Sequence, residues 1–216
     1  MISDHYFSIV VPTFNDGDSG LSTVTEINEV LTKNNLYGNM IIVDDSKDGS
    51  EIGLQDIANN EERITYVRGD SNGFGGAIRK GFSRAQGDTV IVMMGDGSED
   101  PNDIIPIIKN RIEGYEVVFG NRFGSGNRRK DYPKMKYIAN RMMNIVLAII
   151  FRIKSKDITN AFTGYDLNKL RILNLKSNDF ELSIEIPIKM IKKLKCSYTS
   201  VDVAWKNRIE GESKMR

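Results

Sequence analysis

The sequence predicts an α/β fold with a mainly parallel central sheet flanked by helices. Three observations carry that reading. Short apolar runs of strand length recur through the first half, bounded by polar or turn residues. Apolar residues at helical spacing fill the gaps between them. Acidic residues and glycines gather directly after the runs. Runs with little alternation are buried on both faces, as in parallel sheets covered by helices. Strand–helix alternation implies right-handed crossovers, with polar groups collecting at the carboxyl ends of the strands.

In chain order, the first strand is Phe7–Val11 and stops at Pro12, because proline fixes φ and removes a donor. Leu21, Val24, Ile27 and Leu31 then share one helix face. Strands follow at Asn39–Val43 and Ile64–Val67. Ala77, Phe82 and Ala85 mark a helix opened by glycines. Thr89–Met94 is a fourth strand, and Pro101 suits the first turn of a helix carrying Ile104, Ile105, Ile107 and Ile108. Tyr115–Phe119 is a fifth strand. Beyond it the rhythm breaks. Asn121–Asp131 reads as a long basic, glycine-containing loop. Lys134–Phe151 reads as a helix, very apolar in its second half, followed by a helix at Glu181–Lys195 and a strand at Tyr198–Trp205. No repeat, low-complexity tract or linker divides the chain, so 1–216 is expected to form one domain.

Composition narrows the function classes. Hydrophobic residues are 40% and charged residues 27%, the profile of a globular chain with a core. A net charge of +1 gives no general attraction to nucleic acid, and no such partner is expected. Cys196 is the only cysteine and His5 the only histidine, which excludes an intrachain disulfide, cysteine-based zinc and Ser-His-Asp chemistry. His5 reads as an exposed end residue. The N-terminus lacks the basic-then-apolar pattern of a signal peptide. The longest strongly apolar stretch, Ile145–Phe151, falls far short of the roughly 18–20 residues of a membrane span. A cytoplasmic protein, soluble or peripheral, is expected.

Five strand-end segments carry candidate chemistry. Pro12-Thr13-Phe14-Asn15-Asp16 places a ring and polar groups where a planar base could be flanked; an ordinary loop is the alternative. Asp44 and Asp45 are adjacent carboxylates that need cations, donors or solvent around them. They could accept from a base and from ribose hydroxyls, or simply open the turn at Asp48-Gly49-Ser50. Asn72-Gly73-Phe74-Gly75-Gly76-Ala77 is no dinucleotide fingerprint, since Ile78 replaces the third glycine and the segment follows the third strand. Its glycines still permit close backbone approach to a ligand. Gly95-Asp96-Gly97-Ser98-Glu99-Asp100 is rich in hard oxygen ligands suited to Mg²⁺ shared with substrate phosphates. Glu99 and Asp100 alternatively favour the next helix N-terminus. Finally, Arg122 and the segment holding Arg208, Ser213 and Lys214 offer cations and donors for phosphate, or a solvated surface.

Together these segments resemble the family 2 glycosyltransferases of the GT-A fold, and within them the polyprenyl-phosphate sugar synthases of the dolichol-phosphate mannosyltransferase type. The carriers are V-V-P-T-F-N-D, I-I-V-D-D-S-K-D-G-S, N-G-F-G-G-A, M-M-G-D-G-S-E-D-P, F-G-N-R, D-I-T-N-A-F-T-G-Y and W-K-N-R-I-E-G-E-S-K, in order from Phe7 to Met215. The resemblance implies that residues 1–119 bind a nucleoside-diphosphate sugar and 120–216 form the acceptor side. Pro12, Thr13, Phe14, Asp16, Asp44 and Asp45 would hold the donor's base and ribose. Asp96, with Glu99 as second candidate, would hold Mg²⁺ or Mn²⁺. Arg122, Arg208, Ser213 and Lys214 would meet phosphates. Asp157, Thr159, Asn160 and Phe162 fall on the acceptor-side segment. The family's acidic pair around alanine is replaced here by Gly95-Asp96-Gly97.

The expected reaction is inverting transfer of a sugar to a polyprenyl phosphate at the inner face of a membrane. Asp96 and Arg122 would be its main catalytic groups, and Lys134–Phe151 would lie at the membrane surface rather than in the core. A phosphate monoester is a dianion at neutral pH and needs no strong base. Alternatives are a glycan hydroxyl acceptor, for which Glu181 or Glu185 would have to act as base, and a non-catalytic nucleotide- or partner-binding domain at a membrane. A nucleotidyltransferase is a further, weaker alternative.

Overall fold

The computed structural model describes residues 5–124, 129–130 and 134–207. In chain order, β1 (Phe7–Thr13), α1 (Asp18–Lys33), β2 (Gly38–Asp44), α2 (Glu51–Asn60), β3 (Ile64–Arg68), α3 (Gly73–Arg84) and β4 (Thr89–Val92) form the regular first half. A single 3₁₀ turn at Pro101–Asp103 leads into α4 (Ile104–Ile112) and β5 (Val117–Asn121). The second half holds β6 (Arg129–Lys130), α5 (Lys134–Phe151), β7 (Thr163–Asp166), α6 (Leu167–Arg171), α7 (Leu182–Ile188), β8 (Tyr198–Asp202) and β9 (Trp205–Lys206).

Seven strands form one sheet in the order β3-β2-β1-β4-β7-β5-β8. Only β7 runs antiparallel, between β4 and β5. The predicted mainly parallel α/β sheet is therefore present, and alternate strand residues feed its two faces. Val10, Ile41, Val43, Val90, Val92 and Phe119 pack against α3, Leu182 and Ile186. Ile9, Val11, Met40, Ile42, Ile91 and Val118 pack against α1 and α4. Apolar runs without alternation are what two covered faces require.

Several expectations need correction. β1 continues through Pro12 to Thr13, because β4 pairs with it only as far as Val10 and leaves a side on which a missing N–H is tolerated. β5 starts at Val117, since the N–H groups of Glu116 and Val117 are taken by the Ser197 carbonyl. The expected helix Glu181–Lys195 is α7 followed by a π-helical turn at Lys189–Lys193. The expected strand Tyr198–Trp205 splits at Val203-Ala204 into β8 and β9. His5 is no exposed end: its Nε2 lies 3.0 Å from Thr89 Oγ1 and 2.8 Å from Asp88 Oδ1.

α5 departs most from a plain core helix. Only Asn144 is fully buried among its described residues. Leu147, Ala148 and Phe151 rest partly on the core, while Met135, Ile138, Met142, Met143, Ile145, Val146, Ile149 and Ile150 face outward. No helix among the described residues is long and apolar enough to cross a membrane.

Candidate active site

The carboxyl ends of β1, β2, β4 and β5 converge, and the loops leaving them are stapled together. Thr13 Oγ1 donates to Asp44 Oδ1 at 2.9 Å, and the Asp45 N–H donates to the Thr13 carbonyl at 3.0 Å. Asn15 adopts a positive φ of 50°. Its N–H donates to Ser46 Oγ at 2.8 Å, and its Oδ1 accepts from Lys47 N at 2.7 Å. Asp16 Oδ2 accepts from Phe14 N at 3.0 Å, closing a turn that leaves the Phe14 ring 45% exposed. Asn and Asp are the residues that make such turns cheaply.

The two adjacent carboxylates separate in role. Asp44 is fully buried and accepts from Thr13 Oγ1, Ser46 N (3.0 Å), Tyr66 Oη (2.9 Å) and Arg68 Nη1 (3.1 Å). It ties the ends of β1, β2 and β3 together. Asp45 accepts from Ser71 N at 2.8 Å and lies against Gly69, where an added Cβ would stand 2.3 Å from Asp45 Oδ1.

The acidic loop is drawn tightly onto β1. A Cβ on Gly95 would stand 2.6 Å from Thr13 Cγ2 and 3.1 Å from the Pro12 carbonyl, so no side chain fits there. That close approach is the physical reason a glycine stands at this position. It also sets Gly95 beside Asp16, whose Oδ2 lies 3.6 Å from the same point. Asp96 is buried, and its Oδ1 accepts from Ser98 N at 3.0 Å. Gly97 turns the chain with φ +69°. Glu99 is turned inward: Oε2 accepts from Met94 N at 2.8 Å. Burial pushes its carboxyl well above the usual range; the Met94 N–H and Arg122 oppose the rise, while Asp96 and Asp103 add to it. Metal ligation by Glu99 would require this loop to open. Asp100 Oδ1 accepts from Asn102 N at 3.0 Å and caps the turn at Pro101.

On the far side, Arg122 is gripped by Asp157. Its backbone N–H and Nε reach Asp157 Oδ2 at 3.0 and 2.8 Å, and Nη2 reaches Oδ1 at 2.8 Å. Asp157 is fully buried, and Thr159 Oγ1 lies 3.4 Å from Arg122 Nη2. Asn160 Nδ2 donates to the Gly120 carbonyl at 2.8 Å, tying the segment to β5. Phe162 is fully buried in the core on the α1–α4 face.

Two further expectations change. The glycines opening α3 admit another stretch of the chain rather than a ligand: Gly75 N and Gly76 N donate to the Asn178 carbonyl at 2.6 and 3.1 Å. Of the two candidate bases, Glu181 is exposed and Glu185 is already engaged. Glu185 pairs with Lys189 and accepts from Lys176 N (3.0 and 3.1 Å) and Ser177 N (2.8 Å). Burial alone would raise its pKa, but those partners outweigh it and hold the group at about 2. Arg208, Ser213 and Lys214 lie outside the described residues, as does Arg128 of the basic loop.

Asn144 was not singled out from sequence. It lies 3.0 Å from Thr159 Oγ1 and 3.4 Å from Asp157 Oδ1, inside the Arg122 cluster. The signal was available, since it is an isolated carboxamide in the most apolar part of a helix.

The comparisons agree with this architecture. A solved glucosyl-3-phosphoglycerate synthase from Mycobacterium tuberculosis, in complex with Mn²⁺, UDP and phosphoglyceric acid, superimposes with a TM-score of 0.70 at 18% identity. It covers 94% of this chain and 71% of its own. At that identity the likeness establishes the GT-A glycosyltransferase fold alone. An uncharacterized protein of Methanocaldococcus jannaschii is 30% identical over 187 residues, 83% of this chain and 73% of its own length. A dolichol-phosphate mannosyltransferase of Pyrococcus furiosus is 24% identical over 210 residues, 97% of this chain; the chain spans 59% of that relative's length. The profile of glycosyl transferase family 2 matches residues 8–173, from β1 through the stapled loops, the Asp96 turn and the Arg122–Asp157 pair, and the chain belongs to that family.

Proposed function

We propose that this glycosyltransferase moves a sugar, with inversion, from a nucleoside-diphosphate sugar to a polyprenyl phosphate at a membrane surface. The observation that carries the acceptor assignment is the outward apolar face of α5, which is pinned beside Arg122. A lipid tail along that face would bring its phosphate toward a guanidinium. Asp157 holds the Nε–Nη2 fork of Arg122 and so fixes the direction of a guanidinium whose charge would attract phosphate oxygens. Glu185, held ionised by its partners at about 2, is a poor base for a hydroxyl acceptor.

In this reading the donor's base lies against Phe14, and Asp16 and Asp45 serve its base and ribose. The donor set fits a divalent ion shared with substrate: Asp96 supplies one carboxylate, and no group of three metal-ligating side chains lies together among the described residues. Mg²⁺ and its relatives are commonly held by one or two carboxylates, waters and substrate phosphates. Such an ion would neutralise charge building on the departing nucleoside diphosphate. The bond from sugar C1 to the donor phosphate oxygen breaks as the bond from C1 to the acceptor phosphate oxygen forms. A phosphate dianion brings its own nucleophilic oxygen, so no protein group must take a proton.

The reading is tested by incubating the protein with UDP- or GDP-sugars, Mn²⁺ and short-chain polyprenyl phosphate, with free polyprenol and a glycan as parallel acceptors. Label on the phosphate alone is expected. Label on the glycan instead would transfer the case to polysaccharide assembly.

A further inference from the structure

Resting on the assignment of Arg122 to substrate phosphate, we propose that Asn144 is a positioning residue for Arg122, coupling the seating of α5 to the geometry of that guanidinium. Asn144 rides on α5 and Arg122 follows β5, yet the two share both partners. Asp157 Oδ1 receives Arg122 Nη2 at 2.8 Å and Asn144 Nδ2 at 3.4 Å. Thr159 Oγ1 lies 3.4 Å from Arg122 Nη2 and 3.0 Å from Asn144 Nδ2. Meanwhile Asn144 Oδ1 accepts from Ile158 N at 2.6 Å and Thr159 N at 3.2 Å. Those two N–H groups fix which end of the carboxamide is oxygen, so the donor end faces Asp157.

A buried carboxamide in an apolar helix costs free energy unless its polar atoms are satisfied. Here Nδ2 donates to the Asn140 carbonyl of its own helix at 2.9 Å, and the other partners come from the segment that grips Arg122. Asn144 thereby sets where Ile158 and Thr159 stand, and through them where the Asp157 carboxylate points. Asn144 is a buried polar tie between the helix and the site, beside the bond that Arg141 Nη1 donates to the Lys156 carbonyl at 3.2 Å. What seats α5 would then seat Arg122.

The test uses the full chain with ¹⁵N label and reads the Arg122 Nε–H resonance, assigned by its loss in Arg122→Lys. In the wild type this proton is expected to be protected, being bonded to a buried carboxylate. Asn144→Ala is expected to shift it and speed its exchange, while Leu147→Ala, which loosens the same helix without removing a hydrogen bond to residues 157–159, leaves it in place. An unchanged Nε–H in Asn144→Ala, or an equal change in Leu147→Ala, would overturn the proposal. Asn144→Asp adds a second discrimination. It keeps an acceptor for Ile158 N and Thr159 N but sets a carboxylate against Asp157, so the resonance should move although the segment stays bonded.

Transfer to short-chain polyprenyl phosphate supplies the functional arm. Asn144→Ala should lower kcat on the order of tenfold to a hundredfold with the donor KM nearly unchanged. The Arg122→Lys/Asn144→Ala pair should be no worse than Arg122→Lys alone. Additive losses would overturn the coupling. Wild-type transfer by Arg122→Lys would instead sink the assignment of Arg122 to phosphate, and is read separately from the Nε–H signal.

Discussion

Gly164 and Ile107 face each other so closely that a Cβ on the glycine would stand 2.5 Å from the isoleucine Cγ2. Gly164 is the second residue of β7, between β4 and β5, and α4 packs down on it. Gly164→Ala is expected to force α4 off the sheet and to cost about 1–3 kcal/mol in denaturant unfolding, as overpacking does in a full core. A variant as stable as the wild type would show that α4 is free to move.

Asp96→Asn is expected to weaken Mn²⁺-dependent nucleotide binding at least tenfold in a calorimetric titration, with the thermal midpoint barely changed. Glu99→Gln is expected to behave oppositely, keeping binding, because its carboxylate already serves the Met94 N–H. Equal loss in both variants would make Glu99 a ligand after all, with the loop opening to admit it.

Glu185 makes stability fall in acid. Its folded pKa of about 2 lies below the ordinary 4.5, so its contribution is complete above pH about 4.5 and is lost as pH drops toward about 2. Thermal midpoints recorded across that window should fall in the wild type and fall less steeply in Glu185→Gln. Parallel curves would mean that the contacts with Lys189 and Ser177 persist in the unfolded chain.

The outer face of α5 should bind lipid. Ile149 and Ile150 are 70% and 64% exposed, so replacing both with Glu removes apolar surface without opening the core. Cosedimentation with vesicles containing anionic lipid should drop several-fold, with the thermal midpoint unchanged. Equal sedimentation of variant and wild type would mean that the face serves something other than a bilayer.

The sequence was most readable where chemistry and periodicity coincide. β1, β2 and β4 have the apolar runs that two covered faces demand, and their polar ends follow immediately. β7 escaped because Thr163, Gly164, Tyr165 and Asp166 contain no apolar run. Its centre is a glycine chosen for contact with α4. α2 escaped because only Leu54 among its residues is buried, too little to make a stripe. At the site, residue types were legible but their duties were not. Asp44 and Asp45 look equivalent in sequence, and only the reach of Tyr66 and Arg68 shows that Asp44 belongs to the framework. Asn144 escaped because its own helix shows only the Asn140 carbonyl as a partner, and Asp157 and Thr159 come within reach only when residues 157–159 fold against it.

The strand that leaves toward α5 and the strand that returns from it are side by side. Phe119 of β5 pairs with Thr163 of β7, and Gly120 N donates to the Phe162 carbonyl at 3.0 Å. Residues 122–162 thus begin and end at one clasp. Because closing a loop on a fixed base grows costlier only slowly with its length, this excursion can be lengthened, shortened or exchanged while the sheet keeps its register. The sheet stays constant, and what it carries between β5 and β7 becomes a replaceable tool on a common handle.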